Sequence, residues 1–223
     1  MLLALILAAS SPTNTVGRFD RVNSRTPQGR SCRGMLGGNC FPCVCVNNTN
    51  VALQSQNFAN AAWTSFGGSV TVTASDGSTF YRAPDGTNTA SRLTISAACT
   101  GSEKMIYQQL STSVAPTTGS VWVKSISGTI SVSLSNGGGP GSTTNCTNAT
   151  ADGWIQCSHT RTTASGTYFA IGCNDAYSGA VNTGPSDVLI WQGQLEDGSA
   201  ATCPIVTTTI PVTRTGPCSA VCQ

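Results

Sequence analysis

The chain has 223 residues, of which 9% are charged, and a formal net charge of +2. So small a charge excludes a strong electrostatic draw towards nucleic acid or anionic membranes, and the shortage of Glu, Lys and Arg excludes long surface helices. Ser, Thr, Gly and Asn dominate instead, alongside eleven cysteines, a composition that points to short strands joined by turns and to disulfides formed outside a reducing cytosol.

The first ten residues, "MLLALILAAS", read either as the apolar part of a signal segment or as an N-terminal arm. Ala8-Ala9-Ser10 resembles a small-residue cleavage site, but no Lys or Arg precedes the apolar run. The run falls well short of the roughly 20 residues of a membrane span, and no other stretch of the sequence could cross a bilayer. Residues 11–50 form a Cys-rich arm with five arginines and Cys32, Cys40, Cys43 and Cys45, without helical or strand periodicity. Cys40 and Cys43 make one C-x-x-C pair. A zinc site repeats that pair or adds histidines, and the single histidine, His159, is distant, so disulfides are the better reading.

From Val51 the texture changes. "SQNFANAAW" (55–63) has the look of one helical turn, and short alternating runs then follow: 69–75, 91–97, 104–110, 120–126, 129–135, 154–160, 167–173 and 187–195. Asp76-Gly77, Pro84-Asp85-Gly86, "NGGGPG" (136–141), Asp152-Gly153 and Gly184-Pro185 punctuate them. Strands at this spacing predict an all-β sandwich or barrel over 51–198. A Thr- and Pro-rich tail, 199–223, adds Cys203, Cys218 and Cys222. Sequons begin at Asn47, Asn145 and Asn148, and matter only where a host glycosylates secreted proteins.

Five blocks then occur in one order: "ALQSQNFANAAWT" (52–64), "APDGTNTASRLT" (83–94), "SVWVKS" (120–125), "DGWIQCS" (152–158) and "LIWQGQLEDGSAAT" (189–202) with "PVTR" (211–214). Together they resemble the carbohydrate-binding-module-like jelly roll of bacteriophage tail and virion proteins, over roughly residues 51–214. The resemblance implies a jelly-roll β-sandwich and a non-catalytic virion module of tail, fibre or capsid decoration. It further implies other virion subunits as partners, assembly as a homo-oligomer, and attachment to cell-surface polysaccharide, with a virion or extracellular location. The alternative is a secreted bacterial lectin-like or surface-structure protein. Two features depart from the family pattern: the Cys-rich arm and tail lie outside the module, and Cys99, Cys146, Cys157 and Cys173 enter its strands. Jelly rolls of this kind often hold a structural calcium ion; no residue here is assigned as its ligand, and no cofactor is expected.

The resemblance gives "LIWQGQLEDGS" a structural role. Side chains alternate along a strand, so Leu189, Trp191 and Leu195 are expected on one face, with Gly193 leaving room for a neighbour. Glu196 and Asp197 are expected to be exposed in the exit turn. Asp76, Asp85, Asp152 and Asp197 sit beside Gly or Pro and Asp187 comes just after Pro185, as solvated turn residues do. A nucleophile elbow, a Walker loop and a Rossmann fingerprint are absent, and His159 is the only imidazole, so the reading is not an enzyme.

Sugar recognition on a sandwich uses aromatic faces with amides and charges beside them. In "SVWVKS", Val121 and Val123 point inward and Trp122 and Lys124 outward. Trp122 and Lys124, with Tyr107 nearby, are the candidate carbohydrate site; the competing reading makes Trp122 core or subunit interface. Trp63, Trp154 and Trp191 read as core. Cys146 and Cys157 flank a turn between two strands and are expected to pair, and Cys203 is expected to pair with Cys218 or Cys222.

Overall fold

Runs of Val, Ile and Thr at every second position are stiff at χ1 and pack on a pleated surface, and they set the strands of this chain. The computed structural model describes residues 40–41, 47–76, 79–99, 103–110, 115–135, 142–147, 149–151, 153–162, 167–173, 185–215 and 221–222. The signal-like segment 1–10, most of the Cys-rich arm, the "NGGGPG" turn, Asp152, Gly184 and Cys218 lie outside the described residues.

The strands in chain order are β1 (Cys40–Phe41), β2 (Asn48–Asn50), β3 (Thr64–Phe66), β4 (Val70–Ala74), β5 (Ser91–Ile95), β6 (Lys104–Leu110) and β7 (Thr117–Ser127). Then come β8 (Ser131–Ser135), β9 (Ser142–Asn145), β10 (Ile155–Arg161), β11 (Thr167–Cys173), β12 (Ser186–Asp197), β13 (Val212–Arg214) and β14 (Val221–Cys222). Two five-stranded antiparallel sheets, ordered β10-β7-β12-β5-β4 and β3-β6-β11-β8-β9, make a jelly-roll sandwich. All eight runs expected from alternation are strands, and the described residues contain no helix. Over 55–63 the chain makes successive turns instead, closed by Asn57 N–H to Gln54, Asn60 N–H to Asn57 and Trp63 N–H to Asn60.

The core lies between the sheets. Leu93, Ile95, Val121, Val123, Val188, Ile190 and Leu195 from one meet Ile106, Val132, Leu134, Phe169 and Ile171 from the other. Each such side chain contributes about 1.5–3 kcal/mol of transfer free energy. Phe58 and Trp63, from the turns before β3, cap this core with ring centroids 4.8 Å apart.

Residues 48–50 and 202–214, on either side of 51–198, also pack on the sandwich. β2 pairs with β13. Asn50 is fully buried: its amide donates to the Ile205 carbonyl at 2.9 Å, and its carbonyl oxygen accepts from the amides of Ala52 and Leu195 at 3.0 Å each.

Cys146 and Cys157 form a disulfide with Cα atoms 5.6 Å apart, as expected. The two strands it serves do not form a hairpin, however. β9 edges one sheet and β10 the other, so the bond closes the open side of the sandwich. His159 in β10 and Thr144 in β9 meet across the same edge, Nδ1 to Oγ1 at 2.9 Å. Burial, assisted by the Arg161 charge, holds the His159 imidazole below its ordinary pKa. A second disulfide, Cys99–Cys173, links the residues after β5 to the end of β11 and so spans the two sheets, with Cα atoms 6.2 Å apart. Cys203 is buried.

Candidate functional site

The outer face of the β10-β7-β12-β5-β4 sheet carries Trp122, and alternation places it there correctly. It is nevertheless only 2% exposed. A second, smaller core covers it: Ala83, Ala90, Trp154 and Trp191, with Tyr81 and Leu189 at its margin. Trp122 and Trp191 are opposite in register and meet edge to face, centroids 6.4 Å apart. Trp122 is therefore a packing residue, as the competing reading of the sequence had it, and not an exposed platform. Strand alternation decides which face a side chain takes; whether another segment roofs that face is a tertiary matter.

The roof is the chain between β4 and β5. Its "APDGT" turn is closed by Gly86 N–H to Ala83 and Ala83 N–H to Thr87, with Gly86 at φ 83°, a region that suits glycine. The Asp85 carboxylate accepts from the Thr87 amide at 2.9 Å and from its hydroxyl at 2.6 Å. Ser75 Oγ donates to the Ala90 carbonyl at 2.9 Å and accepts from the Tyr81 amide at 2.8 Å, drawing the ends of the loop together. Trp191 Nε1–H donates to Thr89 Oγ1 at 3.0 Å.

The stretch 189–197 departs from expectation in two ways. Leu189 and Trp191 do share the outer face, but Leu195 lies in the main core. A one-residue bulge makes the change: Trp191 opposes Trp122, whereas Gln194 opposes Ser120. Gln192 takes φ 55° there. A Cβ on Gly193 would come within 3.0 Å of the Phe58 ring and 3.1 Å of the Trp63 ring, so Gly193 does leave room for neighbours.

The second departure is Glu196, which is fully buried where an exposed turn residue was expected; Asp197 beside it is exposed. The Thr202 amide donates to Glu196 Oε2 at 3.1 Å, Gln194 Nε2 donates to the same oxygen at 3.1 Å, and the Thr202 hydroxyl donates to Oε1. Arg214 completes the group, its Nη1 donating to the Cys203 carbonyl at 2.7 Å and its Nη2 to Thr202 Oγ1 at 2.9 Å. Burial raises the Glu196 pKa, and the Thr202 donors and the Arg214 charge oppose that shift. The Glu, Thr and Arg of the "LEDGSAAT…VTR" block are thus one latch that fastens the tail to the end of β12.

Lys124 is half-buried and lies opposite Leu189, which on its other side opposes Arg92. Arg92 grips Asp187 with two donors, Nε to Oδ1 at 2.7 Å and Nη2 to Oδ2. The Arg92 hydrogen bond is the main cause that lowers the Asp187 pKa, and it raises that of Arg92. Asp187 is a cross-strand ion-pair residue, not the solvated turn acid its place after Pro185 suggested. Among the described residues, no group of three or more His, Cys, Asp or Glu is placed to hold a metal ion.

Tyr107 stands apart from Trp122 and Lys124. It belongs to β6, on the other sheet, so the three expected site residues do not form one surface. Ile106 and Gln108 of β6 are buried, with Gln108 bonded both ways to the Leu53 backbone, while Tyr107 is half-buried and Gln109 exposed. Tyr168 of β11 pairs with Gln109 in register, and its ring lies 5.6 Å from that of Tyr107, tilted by 46°. Thr64 opposes Tyr107 from β3, and Phe66, 51% exposed, follows on the same strand face. Tyr168 was not singled out from the sequence. Its alternation in "TYFAIGC" was legible, but its pairing with Tyr107 depends on the β6-β11 register.

No protein-family model matches the chain, and no curated protein aligns with it. Among solved structures, the fold is similar to carbohydrate-binding modules. The CBM22-1 xylan-binding domain of Paenibacillus barcinonensis Xyn10C superposes with a TM-score of 0.41 at 13% identity, covering 75% of this chain and 100% of that domain. The family 11 module of Clostridium thermocellum, solved with a β-1,3-1,4-mixed-linked tetrasaccharide, gives 0.41 at 8% identity, over 70% of this chain and 98% of that one. The CBM22-1–GH10 modules of Clostridium thermocellum xylanase 10B, complexed with xylohexaose, give 0.42 at 14% identity over 69% of this chain, which spans only 28% of that protein. These are likenesses of chain path; the sugars belong to those proteins.

Proposed function

We propose that this chain is a non-catalytic, sugar-binding β-sandwich module of a bacteriophage particle. Its binding face is the outer side of the β3-β6-β11-β8-β9 sheet, with Tyr107 and Tyr168 as platforms. The observation that carries the reading is the partly exposed tyrosine pair, with centroids 5.6 Å apart, beside Gln109 and Thr64. Tyrosine rings offer an apolar face to the C–H side of a pyranose, and neighbouring amides and hydroxyls meet its O–H groups. One such pair contributes modestly, so a single module binds weakly and several copies on one particle bind through avidity. The phage assignment rests on the order of the sequence blocks, and other virion subunits are its partners.

A specific observation favours a second reading, a secreted lectin-like protein of a bacterial surface. The described residues alone hold two disulfides, which form in oxidising compartments. Mass spectrometry of purified virions separates the two: the phage reading requires the protein there, and its presence only in the culture supernatant of uninfected bacteria supports the second. Binding is tested by affinity electrophoresis against host polysaccharides with a multivalent display of the protein. Tyr107→Ala and Tyr168→Ala should each weaken retention at an unchanged melting temperature. Retention untouched by both substitutions rejects this face.

A further inference from the structure

The two short end strands bring cysteine to cysteine. β1 and β14 pair antiparallel, and their register sets Cys40 opposite Cys222 and Phe41 opposite Val221. We propose that Cys40 and Cys222 are joined by a disulfide that closes the module into a covalent ring. The proposal is independent of any sugar binding.

Three observations support it. Directly opposed residues of an antiparallel pair have Cα atoms about 4.5 or about 5.5 Å apart, and disulfides span about 4.4–6.8 Å, so either kind of pair satisfies the bond. The same chain already joins Cys146 to Cys157 and Cys99 to Cys173, at Cα separations of 5.6 and 6.2 Å, so it folds where thiols are oxidised. Finally, two-residue strands carry too little pairing to hold together by themselves. A covalent link supplies what the hydrogen bonds lack, and it acts mainly by restricting the unfolded chain.

The chemistry is thiol–disulfide exchange. A disulfide of oxidised glutathione or of a disulfide-donating oxidoreductase is attacked by one cysteine thiolate, giving a mixed disulfide. The second thiolate displaces the donor's remaining sulfur. The S–S bond between Cys40 and Cys222 forms as the donor's own breaks. Two electrons pass to the donor, and two protons are shared between its new thiols and solvent.

The test is peptide mapping of the full chain, alkylated before digestion and never reduced. Trypsin leaves Cys40 on one peptide with Cys43 and Cys45, and Pro42 blocks chymotrypsin after Phe41, so fragment ions from breakage of the Phe41–Pro42 bond in the mass spectrometer separate Cys40 from the other two, and further fragment ions distinguish Cys218 from Cys222. The expected result is one species joining the Cys40 peptide to Cys222, split by reductant. Cys222 found linked to Cys203 or Cys218, or alkylated without prior reduction, overturns the proposal. Cys40→Ser and Cys222→Ser should lower the melting temperature equally, and the double variant should lose no more than either single one. Additive losses mean that the two thiols are not bonded to each other.

Discussion

Replacing Trp122 by Ala should destabilise the fold strongly although the ring lies outside the main core. Its side chain is 2% exposed and packs among Trp191, Trp154, Ala83 and Ala90, so truncation empties an indole-sized space in a cluster made of few residues. Emptying a buried Trp site costs about 3–5 kcal/mol, which includes an edge-to-face contact with Trp191 worth about 0.5–1.5 kcal/mol. For a chain of this size each kcal/mol moves the melting temperature by about 2–4 °C, so a fall on the order of 6–20 °C is expected. Phe66→Ala is the control: Phe66 also lies on an outer sheet face but is 51% exposed, and its loss should cost under about 1 kcal/mol. Urea unfolding of the two variants and the parent, at equal m-value, gives the comparison. A Trp122→Ala loss no larger than that of Phe66→Ala would show that the 79–90 loop does not roof the sheet, and the surface-platform reading of Trp122 would return.

Arg214→Met should cost about 2–4 kcal/mol in the same assay, because it removes two charge-assisted hydrogen bonds and the cation that offsets buried Glu196. Arg214→Lys should recover only part of this, since a shorter side chain ending in one nitrogen replaces the two guanidinium nitrogens that reach Thr202 and Cys203; a full rescue would show that the charge alone matters. Burial, with Arg161, keeps the native His159 pKa below its ordinary value, so the unfolded chain takes up its proton first as pH falls. The His159 contribution is therefore complete above about pH 6.5 and is lost as pH falls through the lowered native value. Glu196, with its raised pKa, titrates with the opposite sign, so the effect is read as the difference in urea midpoint between the parent and His159→Gln across this range. A pH-independent difference refutes it.

What the sequence disclosed and what it concealed divide along a physical line. Strand existence was legible, because alternation of Val, Ile and Thr with polar residues is a local signal, and Val121 and Val123 do face the core with Trp122 on the opposite side. Burial of the outer face was not legible. It depends on a loop whose hydrogen bonds run from Ser75 to Ala90 and from Trp191 to Thr89, contacts that no periodicity encodes. The bulge at Gln192 and Gly193 was concealed for a related reason. An inserted residue reverses the parity of every later position, so counting by twos from Leu189 put Leu195 on the wrong face. Glu196 follows from the same reversal combined with tail docking: a Glu-Asp-Gly triplet signals a turn, yet the Thr202 donors and the Arg214 charge that make its burial tolerable lie beyond the turn. The Cys146–Cys157 bond was found by a hairpin argument even though its strands belong to opposite sheets, since short separation brings two cysteines together in either arrangement. The candidate binding face shows the limit most clearly. Tyr107 could be named from its own strand, but a platform needs a second ring, and Tyr168 becomes its neighbour only through a register linking strands far apart in the chain.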